Sequence, residues 1–173
     1  MQTANPERDL KTTTLMRGAA LLAALLPAVA QAQQGEQPAE HDTAWHNRQM
    51  VALAERQASG DWYSLPGGLL WRRVAGDGSG PAPTLRDIVT LHYAGTLVDG
   101  TEFDSSYQRG EPATFPLRSL IRAWQLAVPQ MGVGDTIEIA VPAGLGYGPR
   151  GAGPIPGGAT LLFKIELLGI MQP

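Results

Sequence analysis

Apolar and polar residues alternate with period two in two well-separated stretches of the chain. In Asp87 to Gly95 (DIVTLHYAG), Val89, Leu91 and Tyr93 share one face, and Thr90, His92 and Ala94 share the other. Residues 135 to 141 (DTIEIAV) alternate in the same way. Residues 69 to 74 (LLWRRV) and Ala159 to Ile170 (ATLLFKIELLGI) read as further strands. Asp99-Gly100 is a tight-turn signal, so residues 101 to 105 return as a strand, and Pro112 to Pro116 is a short extended piece. Two stretches read as helices. The first runs from Asp42 to Ala58, with a cap at Asp42 or Thr43, a stop at Ser59-Gly60, and Trp45, Met50, Leu53 and Ala54 on its apolar side. Such a helix is marginal alone, so it packs on the main domain or on a second copy of itself. The second runs from about Ser119 to Ala127, with Ile121, Trp124 and Val128 on one stripe and Pro129 as its stop. Strands around one short helix predict an α+β domain with an antiparallel sheet.

Composition narrows the function classes. The 173 residues suffice for one ordinary domain and a tail. Charged residues make up only 17%, with 21 glycines and 14 prolines, which suits a turn-rich β fold. A net charge of −3 gives no basic footprint for nucleic acid. With no cysteine, a disulfide framework, a thiol nucleophile and a lipid-modified cysteine are excluded. At the N-terminus, Arg17 precedes the apolar run AALLAALLPAVA, and Ala30-Gln31-Ala32 follows. That order predicts a secretory signal cleaved after Ala32, hence export to the periplasm and no membrane span afterwards. Met16 is an alternative start that gives a more compact signal. The expected organisation is a signal over 1–32, a polar linker and short helix over 33–64, and the compact domain over 65–173.

Few local signatures of catalysis appear. Gly146 to Gly151 (GYGPRG) matches a dinucleotide fingerprint in letters only, because no helix follows and prolines lie where its N-terminus should cradle phosphate. His41 and His46 are five apart and do not share a helix face, and His92 alternates away from the apolar face of its strand. No metal or cofactor is expected. No Ser-His-Asp set has a local signature, and the carboxylates are scattered. Asp104, in FDSS, directly follows a strand aromatic. By position alone it is either a turn residue bonding its own backbone or part of a site.

Five motifs occur in one order: HY-x-G at 92–95, DG-x-x-FDSS at 99–106, FPL…LI-x-x-W at 115–124, GYG at 146–148, and IP-x-x-ATL-x-F-x-x-EL at 155–167. In order and spacing the chain resembles the FKBP family of prolyl isomerases, which bind tacrolimus and rapamycin, over about Leu65 to Ile170. The resemblance implies an antiparallel sheet half-wrapped around one short helix, with a cup between them. It implies catalytic positions at Tyr93, Asp104 and Tyr147, and substrate-binding positions at Phe103, Leu120, Ile121, Trp124, Ile155 and Phe163. Trp124 would floor the cup, while the Ile121 N–H and the Tyr147 hydroxyl would hold substrate carbonyls. Implied partners are proline-containing polypeptides and unfolded exported proteins, with tacrolimus or rapamycin as inhibitors; the marginal helix adds a homodimer through residues 42–58 as a further expectation. The alternative is a peptide-binding chaperone module with weak or no catalysis. The chain departs from the family pattern at Ala123, usually Gly, at Ala113, often aromatic, and in a short Gly/Pro-rich loop between Tyr147 and Ile155.

Overall fold

A computed structural model describes residues 43–172. The expected signal, the polar stretch 33–41 and Asp42 lie outside the described residues. A helix, α1 (Thr43–Ala58), comes first, followed by strands β1 (Tyr63–Leu65), β2 (Leu69–Ala75), β3 (Ile88–Leu97) and β4 (Glu102–Ser105). A one-turn helix α2 (Ser106–Arg109), strand β5 (Ala113–Pro116), helix α3 (Arg122–Ala127) and strands β6 (Thr136–Val141) and β7 (Leu161–Met171) complete the chain. The strands form one seven-stranded antiparallel sheet in the order β1-β2-β6-β7-β3-β4, with β5 also pairing β3. This is the expected antiparallel sheet around a short helix.

Alternation fills the inner face. Val89, Leu91 and Tyr93 of β3 meet Ile137, Ile139 and Val141 of β6 and Leu161, Phe163, Ile165 and Leu167 of β7, all buried. Against this face packs α3 through Ala123, Trp124 and Ala127, followed by Val128 in the next turn. The β3–β4 hairpin closes at the expected Asp99-Gly100 turn, where Gly100 N–H donates to the Leu97 carbonyl at 3.0 Å and Gly100 takes a left-handed φ of 88°. Asp135, just before β6, is buried yet satisfied: it accepts from Gly132 N at 2.8 Å, Gly78 N at 3.0 Å and Arg73 Nε at 3.0 Å. A buried carboxylate needs such partners to offset its desolvation.

Two helix expectations are corrected. α3 begins at Arg122 rather than near Ser119. Leu117–Ser119 forms a separate 3-10 turn, and Leu120 and Ile121 are extended, with ψ of 170° and 153°. The apolar side of α1 is also rotated from the expected one: Met50 is 70% exposed and Ala54 lies outward, whereas Gln49 and Ala52 are buried. The helix packs on β2, and its inward line runs through the half-buried Trp45 and the buried Gln49 and Ala52, because the polar Gln49 finds its partner in Thr160, directly before β7. β1 was not foreseen at all.

Candidate functional site

Between the sheet and α3 lies a pocket of about 480 Å³ lined by Tyr93, Phe103, Asp104, Phe115, Leu120, Ile121, Trp124, Tyr147, Ala152, Gly153, Pro154, Ile155 and Phe163. All nine sequence-predicted site residues meet there. Strand alternation delivers Tyr93 from β3 and Phe163 from β7, while the adjacent Phe103 and Asp104 come from β4 where its pairing with β3 shifts register between Gly95 and Thr96. Trp124 comes from α3, Leu120 and Ile121 from the extended step before it, and Tyr147 and Ile155 from the loop before β7.

The aromatic walls stand edge-on to one another. Trp124, 4% exposed, meets Tyr93 at 5.3 Å and 80° and Phe163 at 5.4 Å and 88°. Phe103 meets Phe163 at 5.6 Å and 86°, and Phe115 lies 6.4 Å from Tyr93. Edge-to-face pairs at these spacings are favourable and hold the rings apart, so the cup stays open. At the start of α3, the backbone donors around Ile121 are committed: Leu120 N donates to Leu117 O at 3.2 Å, and Trp124 N donates to Ile121 O at 3.0 Å.

Polar groups sit on one wall. The Tyr93 hydroxyl donates to Asp104 Oδ2 at 2.5 Å and accepts from Arg109 Nη2 at 2.8 Å. Arg109 also pairs with the other oxygen of Asp104, and its guanidinium lies 5.4 Å from the centre of the Tyr93 ring. Burial pushes the Asp104 carboxyl up, but the bonds from Tyr93 and Arg109 outweigh it and hold it below the usual carboxylate value. Burial, reinforced by the Asp104 hydrogen bond, raises the Tyr93 phenol. Burial, then the charge of Asp104, raises the Tyr147 phenol, so that hydroxyl stays protonated at neutral pH and can donate.

Sequence reading missed Arg109, Phe115 and the Ala152–Pro154 tip. Arg109 reaches Asp104 because α2 turns the chain back. Ser105 caps it by accepting from Gln108 N at 3.4 Å, and Gly110 ends it at φ 75°. The signal was present as a cap serine five residues before a glycine. The second serine of FDSS also has a defined task. Buried Ser106 Oγ accepts from Tyr93 N at 2.7 Å and bonds Tyr93 O at 3.2 Å and His92 Nδ1 at 2.9 Å, which fixes the strand beneath the site.

A second depression, about 540 Å³, opens beside the C-terminal end of α1 and shares only Phe163 with the predicted set. Its charges are largely spent on one another, Arg72 pairing with Glu138 and Asp61, and it lacks the convergent aromatic rings of the cup.

An antiparallel sheet holding an aromatic cup against a short helix defines the fold class. Residues 80–168 match the model for the FKBP-type peptidyl-prolyl cis-trans isomerase family, and the chain belongs to that family. It is 52% identical over 96 residues to the FKBP-type isomerase FkpA of Aeromonas hydrophila, covering 56% of this chain and 36% of that protein. It is 49% identical over 100 residues to the 22 kDa FKBP-type isomerase of Escherichia coli, covering 57% and 48%. Among solved structures it resembles a Pseudomonas syringae peptidyl-prolyl isomerase, with TM-score 0.68, 32% identity, 75% of this chain and 95% of that one. Escherichia coli FkpA matches with TM-score 0.67, 34% identity, 73% of this chain and 60% of that one. The chain thus spans between about a third and a half of these two curated relatives.

Proposed function

We propose that this protein is a peptidyl-prolyl cis-trans isomerase that acts at X–Pro bonds of exported polypeptides. One observation carries the reading: a cup of converging aromatic rings has a clamped carboxylate on one wall and a protonated phenol, Tyr147, at its rim. Unaided, X–Pro bonds isomerise over tens to hundreds of seconds. Amide resonance sets the barrier, ~18–20 kcal/mol, and places partial negative charge on the carbonyl oxygen, which water stabilises. In the twisted amide that charge separation is largely lost. A dry cup therefore disfavours the planar form relative to the twisted one, without a nucleophile.

In this reading Trp124 underlies the proline ring, with Phe103, Phe163 and Tyr93 as walls and Leu120 and Ile155 closing the sides. The Ile121 N–H and Tyr147 O–H hold the flanking carbonyls. Asp104, gripped on both oxygens, is a rigid negative charge that favours the ketone-like carbonyl of the twisted state. Tyr93 commits its own proton to Asp104, so its part is to orient that carboxylate. A thousandfold acceleration requires ~4 kcal/mol. Expulsion of water and one well-aligned hydrogen bond supply that order. A protease-coupled isomerisation assay on a short X–Pro peptide, with and without tacrolimus, tests the reading: acceleration that tacrolimus suppresses supports it, and no acceleration overturns it.

Export is part of the same proposal: residues 1–32 are a signal, residues 65–173 carry the isomerase, and the site of action is the periplasm. The Legionella longbeachae relative named outer membrane protein MIP supports an exported setting. No described helix is long and apolar enough to cross a membrane. A second reading, a chaperone surface for unfolded clients or a homodimer contact through residues 42–58, draws support from one feature. Met50 and Val51 are 70% and 50% exposed on the outward side of α1.

A further inference from the structure

α1 touches the cup's own scaffold. Gln49, 5% exposed, accepts from Thr160 N at 2.9 Å through Oε1, and its backbone carbonyl accepts from Thr160 Oγ1 at 3.2 Å. Thr160, 2% exposed, is the residue at which the long loop after β6 enters β7, and that loop carries Tyr147 and Ile155. One turn earlier on α1, the Trp45 ring covers Gly158: a Cβ built there would lie 3.6 Å from its Cζ3.

The loop transmits this anchorage because its base is closed on itself. Gly158 N donates to Gly148 O at 2.9 Å, directly beside Tyr147. A Cβ at Gly157 would sit 2.0 Å from Pro149 O, so the two arms of the loop are in backbone contact. Further out, Ala152 and Ile155 exchange bonds of 3.0 and 2.9 Å across the Gly153-Pro154 tip. A short covalent and hydrogen-bonded path therefore runs from Gln49 through Thr160 and Gly158 to Gly148 and Tyr147.

We propose that α1 is a positioning element for the rim of the cup, and that Gln49 is the residue through which it fixes Tyr147 and Ile155. The inference rests on the isomerase reading. It assigns the inward side of α1 to the site, and leaves the outward side, with Met50 and Val51, for other contacts. The physical logic is preorganisation: a rim that must be ordered on binding weakens substrate capture, while a rim already ordered does not. Gln49 cannot be replaced by an apolar residue without orphaning the buried Thr160 N–H.

The test uses the full chain. Gln49→Met keeps the volume and removes the acceptor. It is expected to raise KM for an X–Pro tetrapeptide about fivefold, with kcat changed less, as loss of one hydrogen bond's net contribution implies. Amide exchange at Gly158 and Ile155 should speed up in the same variant. Gln49→Glu retains an acceptor oxygen and should recover most of both. Thr160→Val removes only the hydroxyl bond and should move both readouts in the same direction by less, which decides the matter if Gln49→Met does not fold. A lower melting temperature with KM and exchange at Gly158 and Ile155 unchanged would overturn the proposal. If the parent chain fails to isomerise the peptide, the isomerase reading falls, and the exchange measurements still decide whether α1 holds the rim.

Discussion

Gly95 is the place to press hardest on the cup. It lies on β3 two residues beyond Tyr93, buried on the same inner face, opposite Asp104 on β4 and Phe163 on β7. Its φ is not in the left-handed region, so alanine suits the backbone there, and the constraint is space alone. A Cβ would stand 2.7 Å from Cε2 and Cζ of Phe103 and 2.8 Å from Cε1 of Phe163. Ordinary carbon contacts lie at ~3.5–4.0 Å, so two ring edges must each retreat by about 1 Å. The rings already meet each other edge-on at 5.6 Å, and both line the pocket, so their retreat alters its walls. Overpacking of this kind costs ~1–3 kcal/mol, and replacing a strand glycine returns ~0.5–1 kcal/mol. The net for Gly95→Ala is a loss of about 1 kcal/mol. With a urea slope of ~2 kcal/mol/M, the unfolding midpoint should fall by about 0.5 M. KM for an X–Pro peptide should rise in the same variant, because the displaced rings line the pocket in which the proposed function seats the proline. A midpoint that holds or rises, together with an unchanged KM, would refute this account of why glycine stands there.

Three further outcomes are expected. Trp124→Ala removes the floor and most of a buried indole, so stability should drop by ~3–5 kcal/mol in denaturant titration and turnover should fall with it; full activity would remove Trp124 from the site. Asp104→Leu should lower turnover in a folded protein, and wild-type Asp104 sets a pH dependence. Its folded carboxyl titrates below the unfolded value of ~3.9, so its contribution is present above that pH and is lost as pH falls through the lower folded value. Asp104→Asn should therefore flatten the acid limb of a stability-versus-pH curve, and an unchanged limb would count against the Tyr93–Asp104–Arg109 arrangement. Intact-mass measurement of exported protein should find a chain beginning at Gln33, and retention of Leu21 to Ala30 would exclude the signal.

Most of the sheet was legible because its strands carry a one-sided core. Val89, Leu91 and Tyr93 alternate cleanly, so register and face follow from the letters. β1 was not legible: Tyr63–Leu65 is three residues long and exposed at its first two, leaving no pattern to detect. The start of α3 was hidden for a different reason. Leu117 to Val128 is helix-compatible throughout, and only the extended backbone at Leu120 and Ile121 separates the 3-10 turn from the helix. On α1, a count of apolar residues chose the side bearing Met50. The buried side instead holds Gln49, whose amide is satisfied by a residue 111 positions away. No local periodicity encodes such a partner.

The site divides along the same line. Residues that present ring area to the cup could be carried over by motif, since each occupies a fixed step of a strand or turn. Arg109 could not, because its role depends on α2 folding back over β4. Yet it shapes the wall: Arg109 bonds both the Tyr93 hydroxyl and the second Asp104 oxygen, and with Tyr93 it opposes the upward push of burial on that carboxyl. Arg109 therefore adds to Tyr93 in holding the Asp104 carboxyl low, and it clamps the oxygen that Tyr93 leaves free. The glycines follow the converse rule. Gly95, Gly151 and Gly157 are places where a Cβ would meet ring or backbone atoms at 2.0–2.8 Å. They are the points at which the cup's wall and rim close onto themselves. If the cup acts by excluding water, as proposed, it depends on such closeness as much as on the residues that line it.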